Sequence, residues 1–232
     1  IWQDLLVFGL AVFVMFVLIL SIIFRQIRWV VIPLASAATS ALITTGLISW
    51  FNWKVTVVSA NFIALLMIIG ISLTVHLVVR YREITSSNHD MNQINCVQLT
   101  LSQMFLPCLY TALTTMVAFA SLIVSDIKPI IDFGLLMVVS IIITFLVSFL
   151  FFGSVVGSMK KNKKDTHIDY SIGFTTLINK AVLKLRNSIL VLSILLFTLA
   201  LVGINKLTVE NKFIDYFKPS TEIYKGLSLI DQ

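Results

Sequence analysis

Charge is what this sequence has least of. Only 12% of its 232 residues are Asp, Glu, Lys or Arg, against about a quarter in ordinary soluble domains. Hydrophobic residues make up 58%, and they fall in long runs with no charge inside them. A water-soluble globular fold is excluded on that ground. Acids are missing where the chain is most apolar: all 11 lie in loops, at run ends or in the C-terminal tail. Cysteine is nearly absent too. Cys96 and Cys108 have neither metal-ligand spacing nor the numbers for a disulfide framework, and they read as small apolar residues. The sequence contains no His-Glu-x-x-His, no Gly-x-Ser-x-Gly, no paired intramembrane Asp and no phosphate loop. No enzyme is expected, therefore, and no cofactor. Nor is nucleic acid an expected partner, because the net charge of +6 is accounted for by basic loops.

What is present is a series of apolar runs. A span needs about 20 apolar residues, each rising 1.5 Å, to cross about 30 Å of hydrocarbon. Six stretches qualify: 5–24, 29–51, 57–79, 106–124, 130–156 and 189–204. The first is too long for a signal peptide, and its basic residues follow it rather than precede it. Since the chain opens on Ile1-Trp2-Gln3-Asp4, it is expected to be a piece of a longer protein. The second stretch carries Ala35-Ser36-Ala37-Ala38-Thr39-Ser40; small residues allow close approach of helices in lipid, which predicts a position inside the bundle.

Basic residues orient the spans. Arg25, Arg28, Arg80, Arg82, Lys160, Lys161, Lys163, Lys164, Lys180, Lys184 and Arg186 fall on one side; Lys54, Lys128, Lys206, Lys212, Lys218 and Lys225 fall on the other. The richer side is expected to be cytoplasmic. Trp29 then sits at the inner interface and Trp50 and Trp53 at the outer one. Met91 to Phe105 (Ile94, Val97, Leu101, Met104) and Phe174 to Leu185 (Phe174, Leu177, Ile178, Ala181, Val182, Leu185) carry apolar stripes at helical spacing. They predict two interfacial helices on the cytoplasmic face. Thr85 to Asp90 and Ser158 to Ser171 are polar connectors. The expected organisation is five spans over 1–157, a linker with an amphipathic helix over 158–187 and a further span over 188–205. The start of a mixed α+β domain then follows over 206–232, where Lys206 to Phe213 alternates like a strand.

Intramembrane polar groups are the functional candidates, because burying them is costly. His76 is the deepest ionisable residue, one turn before Arg80. Ser72 and Thr74 lie nearer the middle of the third span, and Thr111, Thr114, Thr115 and Ser121 lie on the fourth. Together Ser72, Thr74, His76, Thr111, Thr114 and Thr115 form a candidate polar seam or relay, with Ser72 expected to face other helices near Thr114 or Thr115. No metal site is expected. Asp126 and Asp132 flank Lys128-Pro129 in an outer turn, and Asp132 is placed to cap the fifth span.

Three segments carry a family resemblance. Ile71-Ser72-Leu73-Thr74-Val75-His76-Leu77-Val78-Val79-Arg80-Tyr81-Arg82-Glu83 resembles the end of the fourth helix in resistance–nodulation–division (RND) transporters of the MMPL-like branch. Thr111 to Leu122 is similar to that family's fifth helix, and Pro129 to Gly134 to the entry of its sixth. The resemblance implies a fragment running from the family's second to its seventh transmembrane helix: an all-helical bundle of about six spans, part of a multi-pass permease of the bacterial inner membrane. It implies proton-driven export of lipids or other hydrophobic compounds, with those molecules as ligands. Homo-oligomers and periplasmic partner proteins are compatible with it. Relatives of the same architecture bind lipid, sense or scaffold without pumping, and one is a protein-export auxiliary. Proton-coupled members carry an Asp in mid fourth helix, often followed by Tyr. Those positions hold Ser72 and Leu73 here, so either the matching helix of a second bundle supplies the acid, or the protein couples differently, or it is not proton-driven at all.

Overall fold

Backbone N–H and C=O groups find no water in hydrocarbon, and a helix satisfies them within one segment. The computed structural model describes residues 2–53, 62–88, 91–159 and 171–204, and these are helical, with no strand among them. The helices are α1 (Trp2–Phe24), α2 (Ile27–Trp50), α3 (Phe62–Ser87), α4 (Gln93–Ala120), α5 (Lys128–Ser158), α6 (Ser171–Lys184) and α7 (Arg186–Ile204), with a short 3-10 turn at Ser121–Val124. Five are long and apolar enough to cross a membrane: α2, α3, α4 with its 3-10 extension, α5 and α7. In α1 the apolar stretch that can be described runs over Phe13–Phe24. Over the described residues the chain is thus an all-helical, multi-pass membrane protein. It divides into two units, Ile1–His167 and Ile168–Gln232.

In the first unit α2, α3 and α5 pack on one another; α1 packs on α2, and α4 on α3 and α5. The small-residue run of α2 does lie inside: Ser36, Ala37, Ser40, Ala41 and Thr44 are all buried. A few contacts fix the register. Thr74 Oγ1 donates to Ser36 Oγ at 3.2 Å, and the rings of Trp29 and Tyr81 lie 5.6 Å apart. A Cβ on Gly70 would meet Ala37 Cα and Thr144 Cγ2, each at 3.2 Å. Tyr81 meets Phe152 edge-on at 6.1 Å. Hence α2 runs antiparallel to α3, and α5 runs parallel to α3.

Turns close the bundle. Arg25 takes a left-handed φ of 51°, and α2 begins two residues later. At the other end of α2 the Trp53 amide donates to the Ile48 carbonyl at 3.0 Å and the Asn52 amide to Ser49 at 3.1 Å. This is a Schellman cap with Asn52, at φ 50°, in the left-handed position. Trp53 packs with Ile48 beneath it. Between α4 and α5 a Cβ on Gly134 would fall 2.7 Å from the Phe119 carbonyl, so only glycine allows that approach.

Three sequence expectations are corrected. The stretch 91–105 is not a separate interfacial helix but the first half of α4, which continues through Pro107. Proline removes one amide donor, but the flanking turns keep theirs, and lipid offers the backbone no other partner. Its buried side is Gln93, Cys96, Val97 and Thr100, while Ile94 is exposed. Thr85 to Ser87 belong to α3 rather than to a connector. Asp132 does not cap α5: Ile127 is the N-cap and Pro129 follows in the first turn. Ser72 is exposed, at the edge of the α3–α4 groove that Thr115 also lines.

In the second unit α6 and α7 meet at Leu185, whose amide donates to Ala181 at 2.9 Å while its carbonyl accepts from Ile189 at 2.9 Å. The stripe residues Phe174, Leu177 and Ile178 have side chains outside the described set. So do the basic run at 160–164 and the whole of 205–232, where the strand and soluble domain were expected.

Candidate functional site

On one face of the first unit α3 and α4 leave a groove of about 280 Å³ between them. Its walls are apolar, from Ile68, Ile69, Leu73, Met104 and Ala112, and its polar edge is Ser72, His76, Thr111 and Thr115. Four of the six seam candidates are therefore brought together. Spacing explains why: Ser72 and His76 are one turn apart on α3, as are Thr111 and Thr115 on α4. Ser72, His76 and Thr111 are exposed on the described unit, and Thr115 is half-buried. Thr114 is exposed and does not line the groove. Thr74 points to the opposite face of α3, into the bundle, where it is fully buried.

The chemistry of the edge follows from its hydrogen bonds. Thr111 donates to the Pro107 carbonyl at 3.0 Å, and Thr115 donates to Thr111 at 2.7 Å. These hydroxyls have spent their protons on their own helix, so toward the groove they act as acceptors. Pro107 also leaves the Gln103 carbonyl without its usual amide donor in the helix. His76 adds an imidazole to the same edge. Cys108 lines the same groove and is buried. Among the described residues no group of three or more His, Cys, Asp or Glu is placed to hold a metal ion.

One turn beyond His76 the resemblance motif spreads across the bundle. Arg80 donates to Gln103 Oε1 of α4 at 2.9 Å and pairs with Glu83 at 2.6 Å. Tyr81 stacks between Trp29 of α2 and Phe152 of α5. Arg82 is buried, with its guanidinium 5.5 Å from the Phe24 ring of α1. Arg28 lies over Trp29 at 4.8 Å, and Gln93 of α4 donates to the Val156 carbonyl of α5. Three consecutive residues, Arg80 to Arg82, thus tie α3 to every other helix of the unit.

The richest polar region is one that residue-by-residue reading passed over. Stepping one turn at a time from the observed contacts sets Thr44 of α2 opposite Ser140 of α5, then Ser40 opposite Thr144, then Ser36 and Thr74 opposite Ser148. All seven are at most 1% exposed. The signal was available in Ser36-x3-Ser40-x3-Thr44 and Ser140-x3-Thr144-x3-Ser148, since hydroxyls four apart share a helix face.

A packed bundle of helices long and apolar enough to span defines a multi-pass membrane protein. The chain belongs to the family described as "Protein export membrane protein SecD/SecF, C-terminal", which matches residues 2–162 and is related to the RND superfamily. Neither the curated proteins nor the solved structures compared with it gave a match.

Proposed function

We propose that this chain is the membrane part of a proton-driven RND exporter of the MMPL-like branch, working in the bacterial inner membrane on lipids or other hydrophobic compounds. The observation that carries this reading is α7. The family match ends at residue 162, yet the chain goes on through α6 into another apolar helix long enough to span. A first bundle joined by a cytoplasmic linker to the first helix of a second one is the arrangement that a two-bundle exporter requires. The α3–α4 groove is then the working face, and its apolar walls suit an acyl chain or a packed helix better than a hydrated solute. The protein is a transporter rather than an enzyme on this reading, and periplasmic partner proteins would receive its cargo.

With Ser72 unable to titrate, His76 takes the proton-handling role within this bundle. It stands about 6 Å from Ser72 on one side and from Arg80 on the other, one turn each way. The full-length protein with His76→Gln is expected to reach normal abundance and lose uncoupler-sensitive export. Export that stays uncoupler-sensitive in that variant would remove His76 from the mechanism.

The family description favours a second reading, in which the cargo is protein. Deleting the protein from its host separates the two. Altered lipid content outside the inner membrane, with normal secreted proteins, supports the first. Accumulation of unexported protein precursors with unchanged lipids supports the second.

A further inference from the structure

A hydroxyl inside a membrane helix ordinarily donates to the carbonyl four residues earlier, and three of the seven along the α2–α3–α5 interface do so. Ser40 donates to Ser36 at 3.0 Å, Ser140 to Leu136 at 2.6 Å and Thr144 to Ser140 at 2.8 Å. Thr74 donates across to Ser36. Two stand apart: Thr44 Oγ1 and Ser148 Oγ are buried with no hydrogen-bond partner among the described residues. Thr44 is 1% exposed and Ser148 0%. They occupy the two ends of the column of hydroxyls, in its outermost and innermost layers. Stepping by turns from the Thr74–Ser36 bond and the Gly70–Thr144 approach puts Ser148 at the level of the Ser36–Thr74 pair and Thr44 at that of Ser140.

An unpaired buried hydroxyl is costly, and native interiors meet that cost with an ordered water wherever two to four polar partners are at hand. Both ends meet the condition. Each has the unpaired hydroxyl, the carbonyl four residues before it and an oxygen on the facing helix that still has a lone pair to accept with. We propose that the α2–α3–α5 interface is a water-binding site. One water bridges Thr44 and Ser140, and a second bridges Ser148 and the Ser36–Thr74 pair. The two lie about 12 Å apart along the bundle, eight residues of helix rise. This polar column sits on the opposite side of α3 from the Ser72–His76 groove, and it stands independently of the transport reading.

Two measurements on the full-length protein in lipid bilayers test the proposal. Water-edited solid-state NMR is expected to carry magnetisation from water to Thr44, Ser140 and Ser148 at short mixing times, with the Ser140 signal falling in Thr44→Val. Absence of water transfer to these residues in the unmodified protein overturns the proposal whether or not any variant folds. Thermal unfolding supplies the sign. Thr44→Val and Ser148→Ala are near-isosteric, and each is expected to lower Tm, because a satisfied hydroxyl is lost. A rise in Tm for either variant would mean that a dry, unpaired hydroxyl had been relieved, and it too overturns the proposal.

Discussion

Arg82 shows how much of this protein's design is set by single side chains. It is a charged residue only 8% exposed, held with its guanidinium over the Phe24 ring, whereas Arg80 two residues earlier stays at the surface with Glu83 and Gln103. A desolvated cation over an aromatic face, with its aliphatic stem packed, contributes more than an exposed ion pair. Arg82→Ala is therefore expected to destabilise the bundle by about 2 kcal/mol or more and Arg80→Ala by about 1 kcal/mol or less. Unfolding of the purified variants in mixed detergent micelles measures the difference. Equal losses would mean that the two charges act only as orientation signals. Sequence reading marked both arginines as an inner-interface pair, because charge is visible in a string of letters. Their separate destinations were not, because residues two apart on a helix point about 200° apart and only the neighbours decide what each one meets.

Elements were the most legible level. Uninterrupted apolar runs placed the spans, and the small residues of α2 placed it inside. Misreading came where a helix changes surroundings along its length. Asn and Gln between the apolar residues of 93–105 gave α4 the look of an interfacial helix, although its small and polar side is what packs inward. The hydroxyl column was hidden for a related reason: a four-residue repeat on one helix means little until the register sets it against another. Helix ends carry two expectations of their own. Asn52 occupies the left-handed position of a Schellman cap, which Gly or Asn tolerates and a β-branched residue does not. Asn52→Gly is expected to leave stability within about 0.5 kcal/mol, and Asn52→Val to lower it by about 1–2 kcal/mol. At the other outer turn, a Cβ on Gly134 meets backbone rather than a side chain that can swing away. Gly134→Ala is expected to cost about 1–3 kcal/mol by forcing α4 and α5 apart. Thermal denaturation checks each of these, and a neutral Gly134→Ala would mean that the two helices separate freely at that end.

At the scale of the whole molecule, three facts meet. The first five helices form the bundle of a SecD/SecF-related, RND-related membrane family. The face between α3 and α4 is open, apolar and edged by Ser72, His76, Thr111 and Thr115. The far side of α3 is locked against α2 and α5 at Gly70, so α3 presents one fixed face and one open face, the working face of the proposal. The central claim is that export runs through the working face, and the most direct test is to fill it. Thr111 is exposed at the groove, so Thr111→Trp adds bulk there without entering the core. In the host, export measured as lipid content outside the inner membrane, together with protein abundance, is expected to show lost export at normal abundance. Full export with the groove filled would contradict the account.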